Sequence, residues 1–129
     1  MGLSDCRVDA LVAVSDLLRA KHFYEHTLGL TGGEEEEQGV RYSCGEGTKI
    51  FVYLSPANAG TSSATVAGWL VDDLDETIED LSSRGAVFEQ YDQPGIRTVA
   101  SGVFDAGPFR AAWLRDPDGN TLALTEMRG

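Results

Sequence analysis

Hydrophobic periodicity changes several times along the chain, and each change marks an element. Residues 8–14 (VDALVAV) form a short apolar run rich in branched side chains, which predicts a buried strand. Ser15 and Asp16 follow, with short side-chain oxygens that can accept from the free N–H groups of a helix start. Leu17, Ala20, Phe23, Tyr24 and Leu28 then recur at helical spacing, and Gly29 supplies a stop. A Gly/Glu-rich link leads to a predicted strand over residues 40–43, a turn at Gly45, Glu46 and Gly47, and a strand at Lys49–Leu54. Residues 56–63 (PANAGTSS) are the one linker-like stretch and stand at the midpoint.

The same order returns after the linker. Residues 65–71 (TVAGWLV) read as a strand, Asp72 and Asp73 as a cap, and Leu74, Ile78 and Leu81 as the apolar stripe of a helix closed by Gly85. A strand over residues 86–90, a long loop, a strand at Phe109–Arg115, a tight turn at Asp116-Pro117-Asp118-Gly119 and a last strand over 121–126 complete the pattern. Val14-Ser15-Asp16-Leu17 overlays Val71-Asp72-Asp73-Leu74 at an offset of 57, and residues 47–54 overlay 119–126 at an offset of 72. Two matches in one order indicate an internal duplication, each half leaving a sheet face that needs a partner. The expected fold class is α+β, one domain over 1–129, with a βαβββ module at about 7–56 and a second at about 64–127.

Composition narrows the function classes. The 129 residues are 42% hydrophobic, enough for one ordinary core. No apolar run approaches the ~18 residues that span a bilayer. The N-terminus has acidic residues where a signal peptide carries positive charge, and Cys6 and Cys44 form no disulfide framework. A soluble, cytoplasmic protein with reduced thiols is expected. The net charge of −11 repels phosphates and so excludes nucleic acid and anionic membrane as partners. It suits a cationic ligand, or simply solubility, since part of it lies in the exposed run of Glu34, Glu35, Glu36 and Glu37.

Three motifs in order resemble the vicinal-oxygen-chelate superfamily of glyoxalases, bleomycin resistance proteins and dioxygenases. They are Val14-Ser15-Asp16-Leu17 with Phe23-Tyr24 and Leu28-Gly29-Leu30, then Val71-Asp72-Asp73-Leu74, then Asp116-Pro117-Asp118-Gly119-Asn120. Tyr91 to Thr98 is similar to a loop in a branch of the family without an assigned substrate. The resemblance implies cup-shaped mixed β-sheets with helices on the outer face, usually completed in a homodimer around a small-molecule ligand.

Metal-dependent members of the family place four ligands on the first and last strand of each half. Carried onto this chain, those positions are Asp9, Phe51, Val66 and Ala123. Several O or N donors must converge on a catalytic divalent ion, and only Asp9 offers one. No metal and no other cofactor is therefore expected, which disfavours glyoxalase I, extradiol dioxygenase and fosfomycin-type metal transferase chemistry. Strand alternation adds Leu11, Ala13, Lys49, Tyr53, Gly68, Leu70, Thr121 and Thr125 to the cup face. Trp113 matches a position that often faces ligand in the family, with Phe109, Ala111 and Arg115 on its side; Phe51, Tyr53 and Trp113 then offer stacking faces.

Individual candidates keep more than one reading. Asp9 is a base, a counter-ion for a cationic ligand, or a carboxylate turned to water at a frayed strand end. Arg97 closes over an anionic group or is simply exposed. His22 and His26 sit at i and i+4 with no third ligand, which reads as a solvated helix face; Trp69 belongs to the helix-packing face and Glu126 off the cup face. No Ser/His/Asp triad, phosphate loop or nucleotide fingerprint is present. The leading expectation is a metal-free binding protein of the bleomycin-resistance type that sequesters an aromatic or cationic compound. The alternative is a metal-independent isomerase, lyase or cyclase acting on a small carbonyl compound with Asp9 as base, and a third reading is a metalloenzyme with relocated ligands.

Overall fold

The computed structural model describes residues 2–127. The duplicated pattern becomes two four-stranded mixed sheets. In the first, β1 (Ala10–Val14) runs parallel to β4 (Lys49–Leu54), and β3 (Gly39–Ser43) and β2 (Glu34–Glu36) add antiparallel, in the order β1-β4-β3-β2. In the second, β5 (Thr65–Leu70) runs parallel to β10 (Thr121–Met127), followed by β9 (Phe109–Arg115) and β8 (Phe104–Asp105). The edge strands β1 and β5 contact one another, so β4, β1, β5 and β10 lie at the centre of the molecule.

One face of each sheet packs on helices. Val12, Val14, Ile50 and Val52 of the first sheet and Leu114, Leu122 and Leu124 of the second are buried. They join Ala20, Tyr24, Leu74, Ile78 and Leu81 in one core. The two helices start alike, at the predicted offset: Asp16 accepts from the Arg19 amide (3.1 Å) to open α1 (Leu17–His22), and Asp73 accepts from the Glu76 amide (3.0 Å) to open α2 (Leu74–Ser83). The first helix does not stay α-helical to its glycine stop. From Phe23 to Thr27 it widens into a π turn, with the Leu28 amide bonded to the Phe23 carbonyl (3.0 Å), and this turn holds Tyr24 in the core.

The turn between β9 and β10 locks the two modules together. Asp116 is buried, and its carboxylate accepts from the Tyr24 hydroxyl (2.8 Å), the amides of Asp118 (3.0 Å) and Asn120 (2.9 Å), and the Asn120 side chain (2.8 Å). Asn120 also donates to the Ala13 carbonyl (2.8 Å) and accepts from the Gly60 amide (3.1 Å). Asp118 accepts from the Ser15 amide (3.0 Å), the Ser15 hydroxyl and Arg19 (3.0 Å). Gly60, at φ +65°, sits so close to the Asp118 carbonyl that a Cβ would lie 1.9 Å from it, so only glycine fits the linker there.

Three expectations change. The first strand begins at Ala10 rather than residue 8. The glutamate run is a strand for Glu34–Glu36, an exposed edge whose charges discourage further pairing and are matched by Lys21 on Glu35 and Arg41 on Glu36. Residues 86–90 do not form a strand: they meet β9 through the Phe88–Leu114 bridge, the Glu89 amide on the Trp113 carbonyl (2.8 Å) and the Glu89–Arg115 ion pair (2.9 Å). Gln90 then bonds to the Ala100 carbonyl, which turns the chain away into the hairpin of β6 (Asp92–Gln93) and β7 (Ile96–Arg97) before any ladder can extend.

Burial, and after it the Asp116 charge, pushes the Tyr24 hydroxyl well above the usual tyrosine range. Removing that hydroxyl by Tyr24→Phe leaves a buried carboxylate one donor short, and thermal or urea unfolding should show a loss of about 1–3 kcal/mol. A raised folded-state pKa gives stability that is complete below the unfolded tyrosine value and is lost above it. Wild-type stability should therefore fall once the pH passes about 10, with a shallower fall in Tyr24→Phe.

Candidate functional site

The face opposite the helices is the candidate site. Register places Leu11 beside Phe51, Ala123 beside Trp113, and Gly68 beside Ala123. Phe51 and Tyr53, two residues apart on β4, stack at 5.9 Å with their planes 18° apart. Leu11 (58% exposed) and Leu70 (73%) stand open on this face, whereas Trp69, one residue from Leu70, packs on the core. Val66 falls at a register shift between β5 and β10, packs against the core and borders the cup. Glu126 lies off the cup, bonded to the Leu74 amide at the start of α2 (2.8 Å) and paired with Arg110 (3.3 Å).

Trp113 is the centre of an aromatic group. Tyr91 meets it edge-on at 5.5 Å, Phe104 lies 6.1 Å away, and Phe109 lies 6.2 Å from Phe104. Tyr91 and Phe104 come from outside the two central hairpins, so strand parity could not assign them. The signal available was compositional, since both are aromatics in the segment between residue 90 and β9.

Asp9 is not alone. Its Oδ1 accepts from Arg7 (3.1 Å) and its Oδ2 from Arg41 (3.3 Å), and Arg41 also bonds Glu36 (2.8 Å). To reach Asp9 from β3, Arg41 crosses β4 with its guanidinium carbon 4.4 Å from the Phe51 ring centroid. The Glu36 hydrogen bond, opposed in part by desolvation, raises the Arg41 pKa above its usual value. Arg41 went unassigned from sequence, although alternation along GVRYS places it on the cup side of a strand opposite Phe51. Arg97 stands apart from this group, 78% exposed on the β6–β7 hairpin and 3.4 Å from Asp92.

The seam between β1 and β5 opens into a cavity of about 830 Å³ bordered by Asp9, Leu11, Lys49, Val66, Gly68 and Leu70. It lies beside the turn around Gly45–Gly47, the repeat counterpart of the locking turn. Both turns close with the same backbone bond, Cys44 N–H to Thr48 carbonyl (2.8 Å) and Asp116 N–H to Asn120 carbonyl (3.0 Å). Cys44, Glu46 and Thr48 replace Asp116, Asp118 and Asn120 in the first turn, and Thr48 Oγ1 bonds back to Gly45. Lacking the carboxylate–amide pair, this turn makes no such side-chain bonds to the other module among the described residues, and the cavity borders it.

A model of the glyoxalase/bleomycin resistance protein/dioxygenase superfamily matches residues 7–124. The chain belongs to this superfamily. A glyoxalase/bleomycin resistance protein from Catenulispora acidiphila is 26% identical, with 95% of this chain and 98% of that chain covered and a TM-score of 0.67. TnmS3, an antibiotic-binding protein from Streptomyces sp. CB03234, is 25% identical, with 95% of each chain covered and a TM-score of 0.63. A glyoxalase/bleomycin resistance protein/dioxygenase from Alicyclobacillus acidocaldarius shares the fold at 17% identity, covering 95% of this chain and 92% of that one (TM-score 0.68). No curated protein matches the chain.

The superfamily's metal-dependent members raise the question of a metal, and the residues here do not fit one. Phe51, Val66 and Ala123 have no side-chain donor, and both oxygens of Asp9 are engaged by guanidinium groups. Among the described residues no group of three or more His, Cys, Asp or Glu side chains could hold an ion. His22 and His26, with ring centroids 4.9 Å apart, are on the first helix and its π turn. After equilibration with Mn²⁺, Ni²⁺ or Zn²⁺ and gel filtration, elemental analysis of a His22→Ala/His26→Ala variant should find far less than one ion per chain. A stoichiometric ion in that variant would show ligands drawn from elsewhere.

Proposed function

We propose that the cup binds a planar aromatic small molecule and sequesters it unchanged, without a metal, in a cytoplasmic homodimer. The observation that supports this reading is the Trp113 group: an indole cross-strand from Ala123, with the Tyr91 ring edge-on to it and the Phe104 ring tilted beside it. Likeness to an antibiotic-binding protein at 25% identity supports the same class of role. Exposed Leu11 and Leu70 support a cup completed by a second chain, because open apolar faces of this kind mark association sites. Asp9 as the base of a carbonyl isomerase, lyase or cyclase is less well supported, since neither oxygen is unbonded.

Binding is readable from tryptophan emission once Trp69 is replaced by Phe, which leaves Trp113 as the reporter. Titration with a panel of planar aromatics should give saturable quenching by some members, each recovered chemically intact by chromatography and mass spectrometry. Trp113→Ala, which removes the reporter and is therefore followed by isothermal titration calorimetry, should weaken binding by about tenfold, the scale of one lost aromatic stack. A ligand returned as a new product, with the conversion abolished by Asp9→Asn, would establish the enzymatic alternative instead.

A further inference from the structure

Arg41 is placed unlike a structural ion-pair partner. A surface arginine usually gains little from one carboxylate and keeps its plane in water. Here the side chain starts on β3 and passes over β4. It lies on an aromatic face in the cup and ends between carboxylates from two other strands' vicinities: Asp9 just before β1 and Glu36 on β2. Phe51, one of the rings expected to stack on ligand, is therefore already covered by a delocalised planar cation. A cationic group over a ring is favourable, and two flanking acceptors satisfy its N–H donors. Those are the complete requirements of a subsite for an amidinium-like cation, and the chain fills it with its own residue.

We infer that Arg41 is an intramolecular stand-in for the cationic group of the ligand, so that the aromatic ligand carries a planar amidinium- or guanidinium-type cation and displaces Arg41 from Phe51 when it binds. The inference rests on the reading of the cup as an aromatic-binding site and names the charge of its occupant. Asp9 and Glu36 then change partner rather than lose one, so the exchange leaves no carboxylate unpaired. On the Phe51 face an anionic occupant would meet Asp9 and Glu36, whose charges Arg7 and Arg41 only offset, whereas a cation meets two acceptors and a ring. Displaced from Phe51, Arg41 keeps an acceptor within reach on β2, where Glu34 is its direct cross-strand neighbour.

Three probes of one shape and different charge separate the possibilities: benzamidinium, benzamide and benzoate, titrated by NMR against wild type and Arg41→Met. Removing the resident competitor should tighten benzamidinium by roughly tenfold, the scale of one cation–π contact with its ion pair, and leave benzamide nearly unchanged. Adding Asp9→Asn to Arg41→Met should cancel the gain. Arg41→Gln provides the same comparison should Arg41→Met not fold. Benzamidinium bound equally or less tightly by the Arg41 variants overturns the inference. So does benzoate bound by wild type and lost with Arg41, which would make Arg41 an anion receptor. In both cases binding itself persists and the aromatic cup stands. If none of the three shifts the Trp113 indole or the Ala123 methyl in any variant, the cup reading falls and the inference with it.

Discussion

A buried carboxylate organises this molecule. Asp116 cannot sit in the core unsatisfied, because an ionised group without partners costs several kcal/mol there. Its four donors come from Tyr24 of the first module and from its own turn, and Asn120 ties the same turn to β1 and to the linker at Gly60. The consequence is that two half-sheets, each an incomplete unit, meet along β1 and β5 at a fixed angle. That places Phe51, Val66 and Ala123 on the central strands and Asp9 at the mouth of β1.

The repeat is exact enough to show where its symmetry breaks. Both turns share a closing backbone bond, yet only the second carries the Asp-x-Asp-x-Asn chemistry that grips the other module. One end of the seam is thereby tied by the Asp116 turn, and the other borders an open cavity next to Asp9. The Arg41 ion pairs with Asp9 and Glu36 belong to the first module, while the second module contributes the aromatic group of Trp113, Tyr91, Phe104 and Phe109. Such a division suits a ligand with an aromatic body and one polar end. It offers little to a metal, whose ligand positions hold a phenyl ring and two aliphatic side chains.

Much of this was legible in the sequence because it rests on local rules. Capping aspartates at 16 and 73, alternation along Lys49–Leu54 and Phe109–Arg115, and the Pro–Gly turn are read from spacing alone, and the duplication tied them into one topology. What stayed hidden depended on specific pairings that periodicity does not encode. The glutamate strand exists because β3 offers an edge, and the π turn because Tyr24 must reach Asp116. Residues 86–90 have strand-like composition but are diverted where Gln90 and Tyr91 bond to Ala100 and Thr98 of the following loop, contacts that hydrophobic periodicity does not encode. The position of Arg41 follows from parity, but its crossing to Asp9 requires knowing that β1 lies beyond β4.

The central claim is that aromatic ligands sit on the helix-free face, between the Phe51 side and Trp113. Intermolecular nuclear Overhauser effects from a bound planar aromatic test it most directly. The account predicts contacts from ligand ring protons to the Trp113 indole, the Tyr91 ring and the Ala123 methyl. Contacts confined to the helices or to the exposed β6–β7 hairpin would contradict it.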